Sequence, residues 1–457
     1  MESLKSSFVN IYGERLTSIE IAFVVLFPLA LFQFYGFVDI SKIVLRLSLS
    51  SAIVLSMIYC CEHIMFRKYR FNTIPYYIKI LLLSVVVSIF VALFSRDQGL
   101  VASFKANMGT FLGYIYFFVL YKIKPNTQMV VRVVLLYAFL YLVCYIWGMM
   151  NAPDVVFGTD DELDDSRGGI FRLRLRGIGF VVLSFFYTIV RAISNRRWYI
   201  LSVALYALII LSLTRQFILL SLLVALFFLA WRRVWLRTLL GVLTLFVLIG
   251  QSSFVKIDNS TPIGNLINRS IDQVNSPRGW EDDIRVKSFK AQISDFHQNT
   301  VEVLFGSGYA YGDTSYGRWE RRHFIDRGYY RSDVGYAGTY VTLGIIGLLI
   351  FVAIFYRAVT IPVVGDVIFA KLFIYYVLLT NVASWPLCTS VSEISIALYL
   401  LSIYRTQQRV TLLQQHKGSS NNSLKYLSVT NYPFSIFQKS VVEPLQPTFA
   451  KSKMGNY

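Results

Sequence analysis

The sequence predicts an all-α, polytopic integral membrane protein, and three observations support that fold class. Residues of the apolar class make up 55% of the 457-residue chain. Charged residues make up only 15%, whereas soluble domains carry about 25%. Apolar runs close to the roughly 20 residues that a bilayer-crossing helix needs recur along most of the chain. A cytosolic enzyme, a secreted disulfide scaffold and a disordered chain are therefore excluded.

About twelve transmembrane helices are expected, nine within residues 1–251 and three within residues 334–405. Between these groups, residues 252–333 are predicted to form one large, partly helical loop, and residues 406–457 a flexible polar tail. The predicted spans are residues 19–38, 43–66, 75–94, 106–122, 129–150, 170–191, 198–213, 216–231, 236–251, 334–356, 362–382 and 389–405.

The positive charge of the chain, +18 at neutral pH, is concentrated in alternate short loops. These loops lie at residues 67–70, 122–124, 191–197 and 232–237. Cytoplasmic loops collect Lys and Arg, so these loops and both termini are predicted to be cytoplasmic. Topology thus accounts for most of the charge, and the expected partner is the lipid bilayer rather than nucleic acid.

Arginines mark the opposite, outer side. Arg172, Arg174 and Arg176 alternate with leucines at the mouth of one span, and Arg215 stands in LSLTRQF, where two spans meet. Arginine is costly in hydrocarbon, and its planar fork binds phosphate groups with two parallel hydrogen bonds. These arginines therefore suit a lipid-linked pyrophosphate. The alternative is that they snorkel to headgroups or pair with the acidic run at 160–165.

The large loop contains eleven basic and eleven acidic residues. Its segment SPRGWEDDIRVKSF predicts a turn followed by an amphipathic helix, and contains Arg278, Trp280 and Arg285. The segment LFGSGYAYGD at 304–313 has three glycines but is not followed by the Lys-Ser/Thr of a phosphate-binding loop. A structural turn is the favoured interpretation of this segment.

Asp333 stands just outside an incoming span and is a candidate general base for a hydroxyl group. Its alternative role, a helix cap that accepts backbone N–H bonds, is the more frequent one. His323 is the second candidate base, against the alternative of a solvated loop histidine. The sequence has no convincing metal-binding motif, and neither a metal nor a cofactor is predicted.

Three stretches resemble the bacterial O-antigen polymerases and ligases, the Wzy/WaaL superfamily. LSLTRQFILLSLLVALF (211–227) is similar to the family's Ser/Thr-Arg span. Arg285 with Phe289, followed by LFGSGY, resembles the family's loop helix and turn. SDVGYAGTYVTLGIIGLLIF resembles the stretch that ends the loop and opens the next span. The layout, with one long outer loop before the third-last span, is also similar.

The resemblance implies a glycosyltransferase on the outer face of a bacterial inner membrane. Its donor would be a glycan on undecaprenyl pyrophosphate, its acceptor a second lipid-linked unit, and its partners a chain-length regulator and a flippase. The residues expected to bind substrate are Arg172, Arg176, Arg278, Arg285, Trp280 and Trp319, and those expected to take part in the reaction are Arg215, Asp333 and His323.

One departure from the family pattern favours a polymerase over a ligase. Ligases usually carry a histidine eleven residues before the first glycine of a Gly-x-x-Gly pair, and here that position, counted from Gly344, is Asp333. The alternative functions are a flippase or transporter for the same lipid-linked unit, and an O-antigen ligase.

Overall fold

The computed structural model describes residues 9–12, 14–152, 154–158, 173–212, 214–231 and 283–418, with side chains described through residue 404. The predicted ninth span (236–251) and the first part of the large loop lie outside these residues. So do three predicted site residues, namely Arg172, Arg278 and Trp280. Residues up to Gln407 form one compact unit, and the end of the last helix belongs to a second.

Within the described residues the chain forms helices and short 3₁₀ or π turns, with no β-strand beyond isolated backbone bridges. The helices are α1 (Ser18–Leu31), α2 (Lys42–Tyr59), α3 (Ile74–Arg96), α4 (Leu100–Met108), α5 (Ile115–Ile123), α6 (Thr127–Met150), α7 (Ile178–Ala192), α8 (Trp198–Leu211), α9 (Arg215–Trp231), α10 (Ile284–Ser294), α11 (Thr300–Phe305), α12 (Ser315–His323), α13 (Gly335–Thr360), α14 (Ile368–Thr380), α15 (Pro386–Thr389) and α16 (Val391–Gly418).

Five of these helices are long and apolar enough to cross a membrane: α1 with the turn that follows it, α2, α3, α6 and α13. The predicted class of helical membrane protein agrees with this. Other apolar helices are shorter; α14, for example, has 13 residues, which at about 1.5 Å per residue span only about 20 Å of a hydrocarbon core of about 30 Å. The number of twelve spans therefore stays a prediction.

The predicted fourth span, residues 106–122, is not a single helix. Helix α4 ends at Met108, a 3₁₀ turn covers Phe111–Tyr114, and α5 follows at once. The side chains of Tyr116 and Phe117 are completely buried. A helix that is apolar on all sides belongs in a core, so this apolar run is explained by packing inside the bundle.

Helix α13 is interrupted at Gly344, whose φ of 69° and ψ of −174° are accessible essentially only to glycine. The interruption frees the carbonyls of Val341 and Thr342, which accept hydrogen bonds from the backbone N–H groups of Ser307 (2.9 Å) and Gly308 (3.1 Å). The LFGSGY segment therefore fills the break in the helix, and its predicted role as a structural turn is confirmed.

Contacts between the segments that join successive helices identify the two ends of the bundle. At the first, Arg357 Nε donates to Asn72 O, and Arg191 pairs with Asp366. The backbone of residue 126 bonds to that of residue 9 at the same end. This end, named here the basic end, includes the Arg- and Lys-rich connections at 67–70, 122–124 and 191–197.

The other end, named here the loop end, includes residues 283–335. Two hydrogen bonds mark it: the hydroxyl of Tyr145 donates to Leu211 O, and that of Tyr336 donates to Leu378 O. The basic connections of the described residues are thus grouped at one end, and the large loop is at the other. That the basic end faces the cytoplasm stays a prediction.

Candidate functional site

A buried ion pair anchors the loop to helix α3. The Nε and Nη2 atoms of Arg96 donate to the two carboxylate oxygens of Glu302, at 2.8 and 2.6 Å, and both side chains are almost completely buried. Nη2 also donates to Phe296 O, and the guanidinium carbon lies 4.3 Å from the centre of the Trp319 ring. Two-pronged pairing of this kind fixes position as well as charge.

Glu302 remains ionised in this interior. Burial acts to raise the pKa of its carboxyl, but hydrogen bonds from Arg96 and the Gln298 backbone N–H, together with His297 at 3.8 Å, outweigh burial and lower it to about 2. The hydroxyl of Ser307 donates a further bond of 3.1 Å. A carboxylate with this many donors stabilises the fold and is unsuited to proton transfer near neutral pH.

Ser307, His297 and Glu302 contain the residue types of a hydrolytic triad but not its geometry. In a triad, the two ring nitrogens of the histidine face the serine and the carboxylate separately. Here Nδ1 alone lies 3.1 Å from Ser307 Oγ and 3.8 Å from Glu302 Oε2, and Ser307 is completely buried. The cluster is a structural network.

A second buried arginine joins the end of the loop to the break in α13. Arg331 donates from Nε to Glu320 at 2.5 Å, and from Nη1 to Thr342 Oγ1 at 2.9 Å and Gly308 O at 3.2 Å. Neither Arg96, at the end of α3, nor Arg331, in the loop, could be singled out from the sequence, because buried and exposed arginines look alike there.

Asp333, two residues later, is the half-buried carboxylate at the mouth of α13. The N-cap of this helix is Val334 and has no side-chain cap bond, so the expectation that Asp333 is a helix cap is wrong. Burial raises the pKa of the Asp333 carboxyl, although the charges of Arg285 and Arg174 act to lower it. A carboxylate with a raised pKa is a stronger base, which is what proton abstraction from a hydroxyl requires.

The charges of two arginines from separate stretches act on Asp333. Arg285 comes from α10 and Arg174 from the segment before α7, and both charges act on Asp333. Arg176, two residues on, is exposed and acts electrostatically on Tyr309. Two of the arginines selected from the sequence thus act on Asp333, and a third acts on Tyr309.

Arg215 begins α9 at the same end of the bundle and is half-buried. Two residues later, the Phe217 ring lies 6.3 Å from that of Tyr376 on α14. The Tyr336 hydroxyl, three residues after Asp333, bonds to the same helix at Leu378. Arg215 and Asp333 thus both border the last turns of α14.

His323, the second candidate base, is placed elsewhere. It lines a cleft together with Lys287 and Lys290 of α10. At 3.6 residues per turn, Arg285 lies about 160° around that helix from Lys287. His323 therefore lies on the Lys287 side of α10, whereas the charge of Arg285 acts on Asp333. Which of the two carries the role of the base stays a prediction.

Trp319 is already stacked within the protein. Arg96 lies over its ring, and the His323 ring stacks on it at 5.1 Å with an interplanar angle of 26°. Trp319 also lines the cleft beside α10, and its expected role in binding substrate stays a prediction.

The predicted helix at the start of this region is confirmed. Asp283 caps α10 by accepting a 2.7 Å bond from the Arg285 backbone N–H. The cap places Arg285 in the first turn of the helix, where its side chain can reach the mouth of α13.

Glu393 on α16 is a buried carboxyl that the sequence analysis missed. Its Oε1 lies so close to Gly179 of α7 that a Cβ at that glycine would stand 2.6 Å from it. Ser392 Oγ donates to the other oxygen at 2.8 Å. A carboxyl within an apolar segment is itself a signal that could have identified this residue.

Within the described part of the chain, no three or more His, Cys, Asp or Glu side chains are grouped so that they could hold a metal ion. The polar groups described at the mouth of α13 include guanidinium groups and the Asp333 carboxylate.

A comparison of the chain with protein-family models gives no match, and a search of curated proteins gives none either. The functional interpretation therefore depends on the residues at the mouth of α13 and on the resemblance of the sequence motifs.

Proposed function

We propose that the protein is a polysaccharide polymerase that joins oligosaccharide repeat units carried on undecaprenyl pyrophosphate, at the outer face of a bacterial inner membrane. The growing glycan on one lipid is the donor, and a hydroxyl of a second lipid-linked unit is the acceptor. A chain-length regulator and a flippase are the proposed protein partners.

The observation that carries the proposal is the set of residues at the mouth of α13. Asp333 is half-buried, and the charges of Arg285 and Arg174, from two other stretches of the chain, act on its carboxyl. Arg176 and Arg215 lie at the same end of the bundle. A carboxylate and several guanidinium groups are the parts needed to accept a proton and to bind a departing diphosphate.

In the proposed reaction the acceptor hydroxyl attacks the anomeric carbon of the donor sugar. Its proton passes to the Asp333 carboxylate as the new glycosidic bond forms. The bond from the anomeric carbon to the phosphate oxygen breaks, and the arginines stabilise the charge that develops on the pyrophosphate. Attack from the side opposite the leaving group inverts the anomeric centre.

The placement of the histidines supports a polymerase over a ligase. His297 is buried in the Arg96–Glu302 network, and His323 lines the cleft on the Lys287 side of α10. His63 bonds to Tyr69 at the basic end. Among the histidines whose side chains are described, none stands at the mouth of α13.

The test uses Arg285→Ala and Asp333→Asn in the native host, with the membrane level of each variant measured. We expect long polymer to be lost and single-repeat surface glycan to accumulate, because transfer between lipids stops while export continues. Arg322→Ala is the matched control, since it removes an exposed arginine from the same loop.

Long polymer at normal levels in either variant contradicts the proposal. Loss of all surface glycan, including the single repeat, favours the flippase, because no unit then reaches the outer face.

A further inference from the structure

The first turn of α13 contains backbone N–H groups without acceptors. The helix begins at Gly335, and its N-cap residue, Val334, makes no side-chain cap bond. Within the described part of the chain, the N–H groups of Gly335, Tyr336 and Ala337 have no acceptor; the first N–H group to bond is that of Gly338. Most helices satisfy these groups with a capping side chain or with water. The start of α13 therefore presents free donors at the candidate site.

A buried carboxamide lies against the same turn. Asn381 follows the last residue of α14 and is completely buried, and neither its Oδ1 nor its Nδ2 has a hydrogen-bond partner among the described residues. Its Oδ1 lies 2.6 Å from the position that a Cβ on Gly335 would occupy. Because Cα–Cβ bonds tilt toward the N-terminus of a helix, the amide lies at the end of α13 toward which the free N–H groups point.

An unpaired carboxamide in this position needs an explanation. Burying a polar group without a partner lowers stability, and an apolar side chain with the same branching would avoid that loss. Conflicts of this kind are kept at functional sites. The Asn381 Nδ2 and the backbone N–H groups are all donors, so a ligand with several acceptor oxygens would satisfy them together.

The charges near this turn favour an anion among such ligands. The N-terminus of a helix carries about half a positive charge, and its N–H groups commonly bind phosphate. Two cations, Arg285 and Arg174, act on the single carboxylate of Asp333, two residues before the helix. Ser332 is exposed and Asp333 half-buried, so a ligand can approach from this side. Rotation about the broad χ2 of Asn381 turns its Nδ2 toward the ligand.

From these observations we infer that the first turn of α13 and the Asn381 carboxamide together bind a diphosphate group. The inference deepens the proposed function and rests on it for the source of this group, the pyrophosphate that leaves the donor lipid. The phosphate oxygens accept hydrogen bonds from Asn381 Nδ2 and from the backbone N–H groups. The arginines supply charge, whereas these neutral donors fix the position of the phosphate.

The experiment measures binding without turnover. The full-length protein in lipid nanodiscs is titrated calorimetrically with farnesyl diphosphate, inorganic pyrophosphate and farnesol, with empty nanodiscs as the blank. We expect farnesyl diphosphate to bind at least about tenfold more tightly than farnesol. Tighter binding of farnesyl diphosphate than of pyrophosphate supports a lipid headgroup as the source of the diphosphate. Equal binding of these two supports the same site with free diphosphate as its ligand.

Two substitutions that keep the branching of the side chain test the role of Asn381. Asn381→Leu removes the unpaired amide, so its unfolding temperature should equal or exceed that of the wild type. Its binding of farnesyl diphosphate should be about tenfold weaker, the loss expected for one hydrogen bond to a charged group. Asn381→Asp places a carboxylate at the positive end of the helix, so it should also remain stable and should lose binding at neutral pH.

Asn107→Ala is the matched control. It removes another completely buried carboxamide, whose Nδ2 donates to Ser103 O within α4, and should leave binding unchanged. Each of five results overturns the inference: no binding of either diphosphate by the wild-type protein, equal binding of farnesol, wild-type binding by the Asn381 variants, a lower unfolding temperature in both of them, or an equal loss of binding in Asn107→Ala.

The failure of this inference is distinguishable from that of the proposed function. If Asp333→Asn keeps long polymer while Asn381→Leu loses diphosphate binding, the polymerase proposal fails and the diphosphate site stands. If Asp333→Asn loses long polymer while Asn381→Leu binds farnesyl diphosphate as the wild type does, the polymerase proposal stands and the diphosphate site fails.

Discussion

The two ends of the bundle use ion pairs in different ways. At the loop end, Arg96 and Glu302 pair with side chains only 3% and 0% exposed. At the basic end, Arg191 and Asp366 pair at a similar distance of 2.9 Å, but with side chains 39% and 49% exposed. Distance alone therefore does not distinguish a pair that fixes the fold from one on the surface; burial and additional donors do.

The difference explains why the loop is so rich in charge without being a simple solvated surface. Arg331 and Glu320 form a second largely buried pair, and Arg331 also reaches the break in α13. Part of the loop's charge is thus used internally to fix its position on the bundle. The charges around Asp333 remain at the surface, where a substrate can reach them.

The largest expected effect comes from breaking the buried pair. Arg96→Met leaves the Glu302 carboxylate buried without its main partner, and removing one member of a buried pair costs about 3–5 kcal/mol. Arg191→Met at the basic end is the matched control and should cost at most about 1 kcal/mol, because exposed pairs contribute little. Thermal unfolding of both variants in nanodiscs measures the difference. Equal losses of stability would show that the ion pairs at the two ends contribute equally to stability.

The next effect is a dependence of stability on pH that belongs to the loop end. The pKa of Glu302 is lowered to about 2 in the folded protein, so its stabilisation is fully present above its ordinary pKa near 4.5 and is lost as the pH falls toward 2. A shift of this size corresponds to about 3 kcal/mol.

Unfolding is measured between pH 6 and pH 3 for the wild-type protein and for Glu302→Gln. Glu302→Gln should be less stable at pH 6, and its stability should fall less as the pH is lowered. If the stability of the two proteins depends on pH in the same way, Glu302 does not cause this pH dependence.

The smallest of the three effects concerns the packing of the loop into α13. Gly306 has a φ of 83°, and a Cβ there would stand 2.2 Å from Thr342 O. We expect Gly306→Ala to cost about 1–3 kcal/mol, in the range of a strained backbone position. Gly99→Ala is the control, because no neighbouring atom lies within 4 Å of its added Cβ. If Gly306→Ala and Gly99→Ala lower the free energy of unfolding equally, the loop end accommodates the added Cβ without further loss of stability.

Much of the fold could be predicted because its signals are local. Apolar runs located α3 and α6 to within a few residues, and the segment SPRGWEDDIRVKSF predicted the helix α10. The interruption at Gly344 could not be predicted in this way, because a glycine in an apolar run is compatible with a continuous helix. The break depends on the Ser307 and Gly308 backbone, more than thirty residues away in sequence.

The candidate site was predictable in part for the same reason. Arg285, Arg174 and Asp333 are recognisable as charges next to spans, and the charges of both arginines act on Asp333. The placement of His323 and Trp319 beside Lys287 and Lys290 could not be predicted, because residue type does not reveal which side of α10 a loop segment packs against. Arg96, Glu302 and Arg331 were missed because burial in a loop depends on tertiary packing.

The backbone hydrogen bonds between residues 307–308 and the break in α13 have a consequence for how the protein is assembled. Residues 306–308 precede α13 in the chain, so they leave the ribosome before it. Until residues 306–308 dock, the Val341 and Thr342 carbonyls lack the partners that they have in the folded protein, and a buried unpaired carbonyl is destabilising. Correct insertion of the helix is therefore coupled to docking of a segment synthesised earlier, so assembly across the membrane and folding beside it become a single event.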